Sequence, residues 1–364
     1  MSRPEVERYQ TSNGARIYRI RLDLFPSLEG YAHLVLAKDV VALVDVGSGF
    51  GDSNEQLEGG LQEIQMHYGE SVKWKNITHV LISHGHIDHF GGLHFVKEYS
   101  QAPVGIHELD RRVLIQYEDR LTLVAQRLEE YLIHAGVNPE RRERMMDLYL
   151  LNKHLFRSVP VDFTFNQKNM QVGPIQIMHV PGHCPGQVVF QIDDILLSSD
   201  HVLENTSPHQ APEQLTLNTG LGHYLDSLEK IRPLSSYTKL ILGGHEGPFQ
   251  DLESRIIEIM ELHQERLTKV MEVLEQPTTI TEVSDYLFPN VDGYHELLAI
   301  EETGAHIEYL AQRGYLSIAN IEQIEKQNSV PIRYCRYENI SVPRIFPGSF
   351  LAEHARRDEK VTYK

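Results

Sequence analysis

The sequence predicts a mixed α/β chain with a helical insertion and a C-terminal helical module. Three observations predict it. Apolar, β-branched runs recur through residues 15–244, and several end in His, Asp and Gly. Helical periodicity takes over at 108–157 and again at 250–313. The composition, 41% hydrophobic and 23% charged over 364 residues, is that of a chain able to bury a sizeable core.

Taken in order, residues 15–24, 31–38 and 40–46 read as strands, the last two parted by a turn at Lys38-Asp39. An amphipathic stretch near 53–69 follows. Residues 77–83 (ITHVLIS) read as a buried strand ending in a polar cluster, and 104–107 as a short strand. From 108 to 157 charged residues interleave with Leu, Val, Ile and Met at helical spacing. Gly136 is a C-cap candidate, and Pro139 starts a second helix. Strands resume at 171–180, 187–192, 194–198 and 240–244. A helix over 250–275 ends at Gln276-Pro277, and Thr279 with Glu282 forms a capping box that opens the next. A third spans 294–313 and stops at Gly314. Three helices followed by a short strand and a loop suggest a winged-helix-like module. The expected organisation is a catalytic domain over 1–250, with its insertion at about 108–157. The helical module would cover 251–330 and a tail 331–364.

The net charge, 34 − 51 = −17 with histidine neutral, argues against a protein that coats nucleic acid or an anionic membrane. No stretch approaches the ~18 apolar residues of a membrane span, and no secretory-type apolar run opens the chain. A cytoplasmic protein is expected. Two cysteines, Cys184 and Cys335, can build neither a disulfide framework nor a thiolate zinc cage. With 20 histidines available, any metal site must use imidazole and carboxylate.

The strongest signal is Ser83-His84-Gly85-His86-Ile87-Asp88-His89, directly after a buried strand. His84 and His86 are spaced for one ion, while Asp88 and His89 can turn toward a second. Three partners recur downstream in the same setting, each at the end of an apolar run: His183 in VPGHCPG, Asp200 in LLSSD and His245 in LILGGHEGP. Cys184, beside His183, reads as a packed small residue. His209, in the loop after Asp200, is a candidate substrate contact, and His201 a supporting or surface residue.

The series His-x-His-x-Asp-His, Pro-Gly-His, Asp and Gly-His resembles the metallo-β-lactamase-fold hydrolase superfamily, in a glyoxalase II-like, winged-helix-tailed form. LVDVGSG around Asp45 is similar to its early motif, so the likeness spans about residues 15–250. The resemblance implies a four-layer αβ/βα sandwich. It also implies two divalent metal ions: His84, His86 and His183 would hold one, and Asp88, His89 and His245 the other, with Asp200 bridging. Asp45 would support the ligand loop. Zinc is the default ion for imidazole and carboxylate donors, and iron and manganese suit the same set.

Two such ions can share a water and lower its pKa to about 7. The bridging hydroxide would attack a thioester, ester or lactone carbonyl of a small molecule, with Asp88 both ligating and orienting it. Diiron members that reduce oxygen or nitric oxide carry Glu where this chain has His86, which favours hydrolysis. Two other functions stand beside this one: a metal-dependent phosphodiesterase or endoribonuclease, and a metal-binding sensor without turnover. Residues 263–318 hold ten acids against three bases, which opposes both a nucleic-acid surface and a glutathione pocket. The helical module is expected instead to wall the substrate pocket or to form a homodimer surface. The insertion, rich in Leu, Tyr and Met, would make an apolar wall.

Overall fold

The computed structural model describes residues 6–151, 153–166, 170–327 and 329–345. They fall into two compact units. The first comprises the described residues of Met1–Thr122, Asn152–Pro208 and Pro233–Leu252, and the second those of Leu123–Leu151, His209–Arg232 and Glu253–Lys364.

In the first unit one sheet contains, in spatial order, β1 (Val6–Gln10), β2 (Arg16–Phe25), β3 (Leu28–Ala37), β4 (Val40–Val44), β5 (His79–Leu81), β6 (Val104–His107) and β7 (Phe163–Phe165). The first four pair antiparallel as a meander, and β4 through β7 pair parallel. The second sheet contains β8 (Gln171–Val172), β9 (Ile175–His179), β10 (Val188–Ile192), β11 (Ile195–Ser199) and β12 (Leu240–Gly243), each beside the next.

Alternation along the strands builds two cores, because successive side chains point to opposite faces. On one face of the first sheet Tyr18, Ile20, Leu22, Leu34 and Leu43 pack with Leu57, Leu61 and Ile64 of the helix Ser53–Tyr68 and with Leu93 and Val96 of the helix Leu93–Tyr99. The opposite face, through Ile17, Val35, Ala42, Val44 and Phe165, meets Ile177, Val188, Phe190 and Leu197 of the second sheet. The observed order is therefore helices, sheet, sheet.

The expected strand over 171–180 is broken at Gly173-Pro174, where Gly173 takes φ 55° and β8 turns back on β9. Among the further elements that lie outside the sequence expectations are two strands and a helix of the described residues. β1 is mostly polar and sits at the sheet edge, and β7 is too short to show a period. The helix Leu221–Ile231 does carry helical spacing, burying Leu221, Tyr224, Leu225, Leu228 and Ile231.

The second unit gathers helical segments from three parts of the chain, so the compact units do not follow the expected 1–250 and 251–330 division. The reason lies in specific contacts of the insertion. Tyr131 donates its hydroxyl to the Ile300 carbonyl at 3.0 Å, and Arg141 pairs with Asp285 and Glu296. The Thr281 and Ile332 amides donate to the Ala135 and His134 carbonyls. The helices Ile280–Leu287 and Tyr294–Gln312 precede an antiparallel pair of strands, β13 (Leu316–Ile318) and β14 (Tyr334–Arg336). The Thr279–Glu282 capping box forms as its sequence requires, and Gly314 takes φ 74° where the long helix ends. Of the tail, residues 346–364 lie outside the described residues. Among the described residues no helix is long and apolar enough to cross a membrane.

Within this unit Glu302 is buried and accepts from Arg266 at 2.7 Å and from the Gln210 amide at 2.8 Å. His209 places Nε2 2.9 Å from Glu301 and Nδ1 3.6 Å from Glu302. Burial alone would lower the His209 pKa, but the two glutamates overcome it and raise it to about 9, from 6.5. A raised histidine pKa stabilises the fold fully below 6.5, and that contribution disappears as pH rises through about 9. His209→Asn should therefore lower the thermal unfolding midpoint clearly at pH 6 and much less at pH 9.5, as followed by circular dichroism. An equal drop at both values would contradict this assignment.

Candidate metal centre

The first unit places its chemistry at the carboxyl ends of strands, where loops are free to converge. Asp45 follows β4, and Ser83 to His89 follow β5. His183 follows β9, Asp200 follows β11 and His245 follows β12. Three turns at these ends are made by non-glycine residues in the left-handed region: Asp45 (φ 56°), Ser199 (φ 47°) and Glu246 (φ 60°). Such conformations cost roughly 1–3 kcal/mol each and persist where surrounding bonds hold them.

At Asp45 those bonds are visible. Its Oδ1 accepts the Ser83 amide at 2.8 Å, and its Oδ2 accepts the Ser83 hydroxyl and His89 Nδ1, each at 2.8 Å. Ser83 Oγ in turn receives the Ser199 hydroxyl at 2.7 Å and lies 3.0 Å from His84 Nδ1. His245 Nδ1 donates to the Glu29 carbonyl at 2.6 Å. In each of these three imidazoles Nδ1 is engaged by an oxygen and Nε2 is left pointing into the interior, the arrangement that ligating histidines adopt.

The side chains form two adjoining clusters, His84–His86–His183 with Cys184 and Asp88–His89–Asp200–His245. In the first, His84 Nε2 and His86 Nδ1 are 3.1 Å apart, and the His183 ring stands 4.5 Å from His86 and 5.2 Å from His84. In the second, Asp88 Oδ2 lies 3.3 Å from His245 Nε2 and 3.6 Å from His89 Nε2. One atom joins them. Asp200 Oδ2 stands 3.4 Å from the Nε2 of both His89 and His245, 3.7 Å from that of His183 and 4.0 Å from that of His84.

The donor set fits divalent cations. Burial, then neighbouring imidazoles, hold His84 and His86 well below the ordinary histidine pKa, so both are neutral ligands. Burial would raise the Asp88 and Asp200 pKa values, but the facing imidazoles keep both carboxyls ionised. Asp200 Oδ1 is buried and makes no hydrogen bond. His84 Nδ1 is bonded to Ser83 and His86 Nε2 lies 3.3 Å from Cys184 Sγ, so the remaining nitrogens, His84 Nε2 and His86 Nδ1, are the pair that a cation would draw on. Gly244 gives the centre its tightness: a Cβ there would fall 2.5 Å from Asp200 Oδ1.

A third group, His263–Glu302–His306, lies in the second unit. His306 Nδ1 donates to the Glu302 carbonyl at 2.7 Å, and its Nε2 lies 3.0 Å from His263 Nδ1. Arg266 at 2.7 Å already supplies the positive partner of Glu302. Protein groups do there what a cation would do.

All seven motif residues, with Asp45 behind them, are thus brought together. His209 is not among them; its ring is engaged by Glu301 and Glu302. Three participants carry no sequence signal. The buried Asp110 carboxylate accepts the Gly85 amide at 2.8 Å and the Gly186 amide at 3.0 Å, and burial raises its pKa to about 6. Cys184 is more than filler, since its sulfur faces His86 Nε2. Glu246, beside His245, accepts the Asn205 amide at 2.6 Å and the Thr206 amide at 3.2 Å, while its carbonyl receives the buried Arg19. It ties the loop after Asp200 to the loop of His245.

Residues 28–245 match the profile of the metallo-beta-lactamase superfamily, which is more than half of the chain. The chain belongs to that superfamily. Among curated relatives, the probable metallo-hydrolase YqjP of Bacillus subtilis (strain 168) is 22% identical over 287 residues, covering 75% of this chain and 85% of its own length. Two solved structures show the same fold. A metallo-beta-lactamase family protein from Thermus thermophilus superposes with a TM-score of 0.66 at 24% identity, over 88% of this chain and 98% of its own. A beta-lactamase domain protein from Burkholderia ambifaria gives 0.68 at 20%, over 91% and 95%.

Replacing Asp45 tests the support behind His89. Asp45→Asn keeps the shape but turns an amide N–H₂ toward one of its donors. Affinity for the ion on the His89 side should fall by about 10- to 100-fold, read by competition with a chromophoric chelator. Wild-type affinity would show that Asp45 does not orient His89.

Proposed function

We propose that the chain is a dinuclear metal-dependent hydrolase of small-molecule thioesters, esters or lactones, with zinc as its resident ion. The observation that carries this reading is the single oxygen, Asp200 Oδ2, standing between the Nε2 atoms of four histidines. His84, His86 and His183 would hold one ion and Asp88, His89 and His245 the other, with Asp200 shared. Bound there, two divalent ions supply Lewis acidity and a water acidified toward a pKa of about 7.

The protein's own contribution is orientation and proton handling. The Nδ1 bonds to Asp45, Ser83 and Glu29 fix His89, His84 and His245 before any substrate arrives. Asp88 has one oxygen committed toward His89 and His245, and a carboxylate's second oxygen can accept a proton from the attacking water. His86, Asp88, His183 and His245 keep some exposure, so a carbonyl can reach this face. Imidazole and carboxylate donors favour zinc, with iron and manganese also suited. The excess of acids in residues 263–318 supports a small-molecule substrate over a nucleic acid. The relative named a probable metallo-hydrolase supports hydrolysis as the reaction class.

The test is a panel of thioesters, esters, lactones and phosphodiesters, assayed with and without chelator and repeated with Asp88→Asn. Turnover should appear with a carbonyl substrate, vanish with chelator and return with metal. Asp88→Asn, at unchanged metal content, should lower kcat by about 10²-fold, roughly 2.7 kcal/mol of barrier, with a smaller change in KM. Turnover confined to phosphodiesters would overturn the substrate class. A metal-loaded Asp88→Asn protein working at the wild-type rate would overturn the role of Asp88.

A further inference from the structure

Two of the ligand loops are separated by about a hundred residues of chain yet must present three imidazoles to one point. Their strand ends are joined by the Val188 amide, which donates to the Ser83 carbonyl at 2.9 Å. Beyond that bond the loops continue as His84-Gly85-His86 and His183-Cys184-Pro185-Gly186, and Asp110 sits between them. It is fully buried, and its two oxygens serve different loops: Oδ2 accepts the Gly85 amide at 2.8 Å and Oδ1 the Gly186 amide at 3.0 Å.

Two details show that this carboxylate is committed to the loops. Asp110 occupies the N-cap place of the helix Arg111–Ile115, where an Asp ordinarily accepts an amide of the first turn, yet its side chain makes no capping bond. Both loop partners are glycines packed against it. A Cβ on Gly186 would lie 2.6 Å from Asp110 Cγ, and one on Gly85 would lie 3.3 Å from the same atom. Any side chain at position 186 would push the carboxylate off its bonds.

We propose that Asp110 is a positioning residue of the metal centre: by clasping the Gly85 and Gly186 amides it sets the spacing of His84 and His86 against His183, and so the affinity of the three-imidazole site. Its own side-chain bonds go to the Gly85 and Gly186 amides and to none of His89, Asp88 and His245. The second cluster is linked to it only further along the loop, where the His89 amide donates to the His86 carbonyl at 3.1 Å. The proposal therefore demands a selective effect. It rests on the two-ion reading above.

The experiment titrates apo protein with Co²⁺ alone, following the visible spectrum and competition with a chelator. The two sites are assigned with His183→Ala and His245→Ala. Asp110→Asn retains one acceptor and turns its N–H₂ toward the other amide. It should weaken the His84–His86–His183 site by about 10-fold or more and leave the other near wild type. Leu114→Ala, buried on the same short helix, is the control: it should lower the apo unfolding midpoint without changing the ratio of the two affinities. Should Asp110→Asn fail to fold, Gly186→Ala keeps the aspartate and must give the same selective loss. Wild-type affinity at both sites overturns the proposal, as does an equal loss at both that follows stability in the manner of Leu114→Ala. Wild-type protein that takes up a single ion overturns the two-ion reading instead.

Discussion

One carboxylate oxygen facing four imidazole nitrogens is the constraint that organises the first unit. Removing an ionised carboxylate from water costs several kcal/mol even after relaxation, and a second one, Asp88, lies beside the same imidazoles. Protonated histidines can answer part of that charge. On the His89 and His245 side burial opposes protonation, but the surrounding aspartates prevail and raise both pKa values. On the other side burial keeps His84 and His86 neutral. One end of the centre thus pairs carboxylates with imidazoles of raised pKa, and the other offers neutral imidazoles. Divalent cations would suit both ends, because binding them releases protons from the first and uses the neutral nitrogens of the second as ligands.

The sheets exist, in functional terms, to make that crowding tolerable. β9, β11 and β12 run the same way in the second sheet, as do β4 and β5 in the first, so the loops that carry ligands leave from carboxyl ends. The antiparallel β10 between them carries no ligand. Backbone strain at Asp45 is held by bonds that include the one orienting His89, at Ser199 by its hydroxyl bond to Ser83, and at Glu246 by bonds to the loop after Asp200. Packing of both faces of the first sheet supplies the rigidity against which those bonds act.

Much of this was legible in the sequence because the ligands come in short, ordered motifs whose grammar repeats: apolar run, glycine, histidine or aspartate. The capping box at Thr279 and the stop at Gly314 were legible for the same local reason. What was not legible depends on contacts across long sequence separations. Asp110 is one aspartate among many in the sequence, and only the fold shows that it spans two loops. The likeness of Cys184 to a packing residue hid its contact with His86. His209 looked available because it follows Asp200, whereas its partners, Glu301 and Glu302, come some ninety residues later. The grouping of residues 123–151 with the C-terminal helices rests on Tyr131 and Arg141, whose partners no periodicity could name.

The central claim is that one buried carboxylate joins two metal sites, and metal content measures it most directly. Purified under metal-replete conditions, the wild-type chain should carry about two divalent ions by mass spectrometry, as a shared two-ion centre requires. Asp200→Ala should lose affinity at both sites together, where His183→Ala or His89→Ala loses mainly one. A fully active wild-type protein holding no more than about one ion per chain, or an Asp200→Ala variant that keeps either site at wild-type affinity, would contradict the account.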